Sequence, residues 1–325
     1  MPSVDLSSAP SACATGTWGY RSYREHLAER FPGQRIRKLC LHAGFTCPNI
    51  DGTVAHGGCT YCDNAGFVPS FDHTSDLRRQ WDAGRTFLRK RHRRVDGFLA
   101  YFQSFSNTYA PVEDLRRIYD RVPEDYPECV GLSIGTRPDC VPDAVLDYLD
   151  QLGRRVFTTL EMGLQSDRDA ILRRTNRGHD VACFHDAIRR AAQRSFEICA
   201  HLIIGFKDEG EDAPERLGDL MASLPVQSVK IHNLHVMRGT ALARQHALDL
   251  LPVPERGWYL DAVRRFISRL RPDQAVQRLI ADAPDRLLVA PAWCHDKQGF
   301  LSQLASAQNF LGDPASTLGE VALNV

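Results

Sequence analysis

Residues 196–205 read Phe-Glu-Ile-Cys-Ala-His-Leu-Ile-Ile-Gly. Apolar side chains fall on both alternating faces, the pattern of a strand buried on each side within a parallel sheet. Upstream, Asp180 can cap a helix whose Cys183, Ala187 and Ala191 recur four apart. Before that helix, Val156–Met162 reads as another strand. Downstream, a helix over Ala213–Ser223 leads to a strand at Val226–His232.

The alternation continues back toward the N-terminus. Strands are expected at Ile36–His42, Gly97–Gln103 and Cys129–Gly135. Helices are expected over Gly19–Phe31, from about Ser75 to His92, over Val112–Arg121, and after Pro142. In the last of these, Val145, Leu149 and Leu152 share one face. Six βα units joined by right-handed crossovers predict an α/β fold with one parallel sheet, either open or curled into a barrel. After Met237 the pattern thins to a helix through Tyr259, Val263, Phe266 and Leu270 and short strands at 276–280 and 287–289. The expected organisation is a tail at 1–16, a core at 17–237, an extension at 238–311 packed on that core, and a tail at 312–325.

The 325 residues carry 40 Lys+Arg against 40 Asp+Glu, and 43% are hydrophobic, which excludes extensive disorder. No apolar run approaches the roughly 18 residues of a membrane span. The opening Met1-Pro2-Ser3-Val4-Asp5 has neither the basic nor the apolar region of a secretory signal, so a cytoplasmic protein is expected. Zero net charge argues against a surface built throughout for polyanions. It leaves one dense basic run, Arg89-Lys90-Arg91-His92-Arg93-Arg94, at a helix end. That run reads either as a solvated last turn favoured by the helix dipole or as a grip for RNA phosphates.

Ten cysteines are too few for a disulfide scaffold, so their spacing decides their role. Cys47, Cys59 and Cys62 form C-x11-C-x2-C in the Gly-rich loop after the first strand. Three thiolates on a [4Fe–4S] cube leave one iron without a protein ligand, whereas electron-transfer clusters use four. An open metal position is a catalytic feature. The spacing alone also allows a structural zinc loop completed by His42 or His56, in a non-catalytic nucleic-acid-binding module. Position favours catalysis, because active sites of βα barrels gather at the C-terminal ends of the strands.

From about Trp18 to Cys294 the chain resembles the YhcC/YtqA-like radical S-adenosylmethionine (SAM) proteins, most specifically in GFTCPN, DGT, GGC and YC over residues 44–62. The resemblance implies a partial (β/α)6 TIM-like barrel of the radical SAM type with short terminal extensions. It also implies that Cys47, Cys59 and Cys62 bind a [4Fe–4S] cluster whose fourth iron is chelated by SAM. Reductive cleavage of SAM would then give a 5′-deoxyadenosyl radical that abstracts a substrate hydrogen. Ile50 stands where the family usually has Arg.

Further likenesses lie at successive strand ends. Gln103 and Ser104 sit where the wider superfamily contacts the SAM amine. Gly135-Thr136-Arg137-Pro138-Asp139 resembles ETRPD of the Elongator catalytic subunit, with Gly135 in place of Glu. Glu161-Met162-Gly163-Leu164-Gln165-Ser166 resembles EIGVQS, implying that Glu161 and Gln165 surround the ribose. Arg177 would pair with the SAM carboxylate, where a planar guanidinium suits the acceptor. Ile203 and Gly205 would line the adenine loop, although Lys207-Asp208 replaces Pro-Gly there. His232 and His235 are candidates to orient substrate or move a proton. Cys140, Cys199 and Cys294 form no second C-x2-C and read mainly as packed thiols. Elongator-like relatives extend the expected partners to tRNA, with wobble-uridine modification the leading function and a small metabolite or protein the alternative substrate. The expected electron donor is a low-potential flavodoxin or ferredoxin.

Overall fold

The computed structural model describes residues 19–63, 76–281 and 283–308, so both expected tails lie outside it. The described residues hold ten strands: β1 (Arg21–Ser22), β2 (Ile36–Leu41), β3 (Gly97–Phe102), β4 (Cys129–Thr136), β5 (Phe157–Gln165), β6 (Glu197–Ile204), β7 (Ser228–Asn233), β8 (Val236–Met237), β9 (Ala275–Arg278) and β10 (Leu288–Ala290). Eight form one sheet in the order β1-β9-β7-β6-β5-β4-β3-β2, every pairing parallel. β8 and β10 form a separate antiparallel pair.

From β2 to β7 neighbours in space are neighbours in sequence, so the sheet never reverses its order as a doubly wound sheet does. Right-handed crossovers then place every helix on one side, and the sheet curls with the other side inward. β2 and β1 do not pair, which leaves the TIM-like barrel open. The segment after Met237 adds β9 to this same sheet, beside β7.

The helices are α1 (Tyr23–Arg30), α2 (Leu77–Arg91), α3 (Val112–Tyr119), α4 (Arg121–Asp125), α5 (Asp143–Gly153), α6 (Asp169–Arg174), α7 (Val181–Ala191), α8 (Ala213–Ser223), α9 (Ala241–Ala247), α10 (Arg256–Ile267) and α11 (Lys297–Gln308). Asp180 caps α7 as expected, accepting from the Cys183 amide at 2.8 Å. The first expected helix starts later than its pattern. Residues 21–22 pair with β9, and Ser22 and Glu25 then close a capping box that opens α1. The helix expected over Val112–Arg121 ends at Tyr119 and restarts as α4. Pro123 accounts for the break, since its ring crowds the carbonyl of Tyr119 and it has no N–H to donate.

The outward side chains of the central strands, including Leu132, Ile134, Leu160, Met162, Ala200, Leu202, Val229 and Ile231, are fully buried against the helices. Each of these Leu, Ile, Val and Met side chains contributes roughly 1.5–3 kcal/mol by leaving water. The inward side chains on the same strands are largely polar. β6 therefore departs from its two-faced apolar reading, because His201 points inward between Cys199 and Ile203.

Candidate active site

Cys47, Cys59 and Cys62 lie in the loop after β2, at the C-terminal edge of the sheet. Their loop rests on residues 175–178, which follow α6. Asn49 is fully buried, and its amide donates to the carbonyls of Asn176 (2.5 Å) and Arg177 (3.0 Å) and to Cys59 Sγ (3.5 Å). The Asn176 amide donates back to the carbonyls of His56 and Gly58, and the Thr60 amide to the Thr175 carbonyl. Gly178 permits this close approach. A Cβ there would lie 2.2 Å from Asn49 Oδ1, and its φ of +76° suits glycine.

The loop roofs a cavity of about 170 Å³ whose walls come from the strand ends. The cavity gathers Cys47, Cys59, Cys62, Gln103, Ser104, Glu161, Gln165, Arg177, Ile203, His232 and His235. Gly205 is not among its lining residues. It turns the chain beyond β6 at a φ of +106°, and a Cβ there would meet Pro254 at 3.0 Å. Arg137, His201 and Arg278 also line the cavity, and the sequence reading gave none of them a role. His201 carried a signal, being a polar residue in the middle of the apolar run that defines β6.

A structural zinc site would need a fourth ligand such as His42 or His56. His42 is engaged elsewhere, its Nδ1 accepting from the Gly44 amide and its ring stacked on Phe105.

Residues 51–221 match the model of the Radical SAM superfamily, and residues 226–308 match that of the Radical_SAM C-terminal domain. The chain belongs to the radical SAM superfamily. It is 38% identical to protein YhcC of Escherichia coli strain K12 over 90% of this chain and 93% of that one. It is 37% identical to YtqA of Bacillus subtilis strain 168 over 86% of both. An archaeal Elp3 structure from Methanocaldococcus infernus shares the fold with a TM-score of 0.60 at 16% identity, covering 85% of this chain and 62% of that one.

The cofactors of this radical SAM protein are a [4Fe–4S] cluster and SAM, and its cavity fits them. Arg177 Nε and Arg137 Nη1 are buried donors without a protein partner. Arg177 donates its other nitrogens to the Gly163 carbonyl (2.8 Å) and to Cys59 Sγ (3.7 Å). Asp139 clamps Arg137 through two bonds of 2.9 and 2.7 Å. A Cβ on Gly163 would lie 2.7 Å from the Arg177 guanidinium, so the absence of a side chain there gives the arginine its place. Buried guanidinium donors left open beside thiols favour an anionic partner such as a carboxylate.

Glu161 closes the cavity floor with both oxygens engaged. Oε1 accepts from Lys38 and from Ser133 (2.5 Å), and Oε2 from His201 (2.6 Å) and Lys230 (3.4 Å). Burial pushes this carboxyl up, but the Lys230 and Lys38 ammoniums outweigh it and hold the group well below the carboxylate range. Burial lowers Lys230 to about 7 against the pull of Glu161. Burial, together with the Lys230 charge, lowers His201 to about 4. His232 is held well below the usual histidine range, first by burial and then by Arg278 and Lys230.

The basic run is remote from this cavity. α2 returns from the C-terminal edge of β2 to the N-terminal edge of β3, so residues 89–94 lie at the far end of strands about 20 Å long. Arg89 pairs with Glu128, and Arg94 with Asp96 and the Gly33 carbonyl. Cys294 accepts from the Asn233 amide at 3.1 Å, and Cys140 and Cys199 are buried. Among the described residues, no helix is long and apolar enough to cross a membrane.

Proposed function

We propose that this radical SAM enzyme modifies the wobble uridine of tRNA. The observation that carries the reading is the character of the exposed surface at the end of the sheet where the cavity lies. Exposed Arg168 and Arg173 in and beside α6, and Lys207 after β6, belong to segments at the C-terminal edge. Exposed Leu248 (68%) and Leu250 (59%) follow α9 in the chain portion beyond β7. Cations suit a phosphate backbone, and apolar side chains give an unstacked base a surface to rest on. The Elongator-like segments at 135–139 and 161–166 point the same way.

In this reading Cys47, Cys59 and Cys62 would hold the cluster, and Arg177 the SAM carboxylate. Gln103 and Ser104 would take the amine, Gln165 the ribose, and Ile203 one face of the adenine. The bound cofactors supply one-electron cleavage of SAM and removal of a substrate hydrogen atom. The chain's own work is to orient SAM, exclude water and manage protons. A flavodoxin- or ferredoxin-type donor would reach the cluster from the loop face that exposes Ile50 and Val54.

The test is nucleoside mass spectrometry after anaerobic incubation of reconstituted enzyme with SAM, a low-potential reductant and unmodified or partly modified tRNA. A new mass at the wobble position, formed less readily as salt rises, is expected. An unchanged profile while SAM is cleaved would overturn the tRNA reading and favour a small metabolite or protein.

A further inference from the structure

Beneath the cavity the barrel interior holds a charged network that reaches beyond the groups given expected roles. His201 faces Glu161 from β5, Lys38 from β2, and Lys230 and His232 from β7, with Arg278 of β9 beside His232. Lys230 also donates to the Tyr101 hydroxyl, and both lysines lie over the Tyr101 ring at 4.5 Å. Glu161, Cys199 and His201 offer ligand atoms within 4.8 Å of one another, as a metal site would. Two ammoniums already occupy the carboxylate there, however, where a metal cation would have to sit.

Glu161 was expected to touch the ribose itself. Its four acceptor positions are filled by protein donors, so whatever it does for a ligand passes through a neighbour. His201 is that neighbour, since it lines the cavity and bonds Glu161 at 2.6 Å. An ionised carboxylate only accepts, so the His201 proton must sit on Nε2. In the neutral ring Nδ1 is then the acceptor. A carboxylate that fixes a histidine tautomer is the arrangement by which hydrolytic triads prepare their base.

We propose that His201 is the proton-transfer residue of this cavity, with Glu161 its positioning residue and Lys38 and Lys230 keeping Glu161 ionised. The inference rests on the cavity being the reaction site, and not on tRNA being the substrate. The substrate it fits carries an O–H or N–H beside the reacting carbon. Nδ1 takes that proton, the electron pair of the broken bond stays on the substrate oxygen or nitrogen, and the ring becomes an imidazolium. Its charge lies against the Glu161 carboxylate. Return of the proton to product or solvent restores the neutral ring.

Lys230 makes the step pH-dependent. Its ammonium lowers the basicity of His201, and that ammonium is lost as pH rises through about 7. Product formation should therefore rise across neutrality, and Lys230→Met should flatten that limb.

The experiment compares wild type with His201→Asn, reading product and 5′-deoxyadenosine in the same reaction. Product should fall about 100-fold, within the range for one general acid–base group. 5′-Deoxyadenosine should stay within about threefold, as for a residue that does not hold the cofactor. Equal loss of both would make His201 a cofactor ligand, and loss of neither would make it structural; each overturns the proposal. Nitrogen NMR of histidine-labelled protein decides the point without a substrate. The Nε2–H tautomer is expected in wild type, and a mixture in Glu161→Gln. An Nδ1–H tautomer in wild type would refute the proposal. If wild type cleaves SAM but makes no tRNA product, the functional reading fails while the tautomer result still judges this one.

Discussion

Leu160 and Glu161 are consecutive residues of β5, both buried, and the pleat sends them to opposite sides of the sheet. Leu160 joins the apolar layer under the helices, while Glu161 enters a network of two lysines, a serine and a histidine. The outer layer is stabilised by apolar burial and close packing, and volume-conserving apolar swaps disturb it least. The inner layer must satisfy each charge individually, because an unpaired buried charge costs several kcal/mol. One sheet thus separates the demands of stability from those of chemistry by residue parity, and the cavity sits where the inner layer reaches the C-terminal edge.

The largest expected effect breaks the site and leaves both layers standing. Cys59→Ala should abolish the cluster absorbance near 400 nm and SAM cleavage together, with helical circular dichroism unchanged. Surviving SAM cleavage would show that the ligand set is wrong. Next comes the pair that tests the two layers directly. Glu161→Gln should cost about 3–5 kcal/mol, because it strands Lys38 and Lys230 without their anion. Leu160→Ala should cost about 2–5 kcal/mol through a cavity. Denaturant titration measures both, and pH separates them. The Glu161 carboxyl is held below its unfolded value, so its contribution is full above that value and fades as pH falls through the folded one. Leu160→Ala should keep the wild-type loss of stability in acid, whereas Glu161→Gln should lose the share of it that the Glu161 carboxyl supplies.

The outer layer was legible in the sequence because short, nearly continuous apolar runs such as FEICAHLIIG, alternating with helical patterns, read as buried strands. That Cys47, Cys59 and Cys62 meet in one loop at the cavity was legible because thiol spacing is a short-range property. The inner network was not. Lys38, Glu161 and Lys230 are 123 and 69 residues apart along the chain, and only strand register brings them to one point. A lysine in a strand reads as solvent-facing until its partner is found. The break at Pro123 is a different kind of miss, where an apolar period outweighed a local steric rule.

The smallest effect concerns charge at the two ends of the barrel. Residues 89–94 form the densest basic run in the chain, yet they lie at the N-terminal edge, and Glu128 and Asp96 already answer two of the arginines. Arg173, exposed at the end of α6, lies at the cavity's end. If RNA is drawn to the cavity, position outweighs density. Arg173→Ala should then weaken tRNA binding and reduce the slope of log affinity against log salt by about one. Arg89→Ala should leave tRNA affinity unchanged and move stability by no more than about 0.5 kcal/mol, as surface changes usually do. Filter binding across a salt series measures both. The reverse pattern would move the RNA contact to the far edge, where a 20 Å strand length separates it from the cysteines, and a base could not reach the cavity from there without wrapping around the sheet.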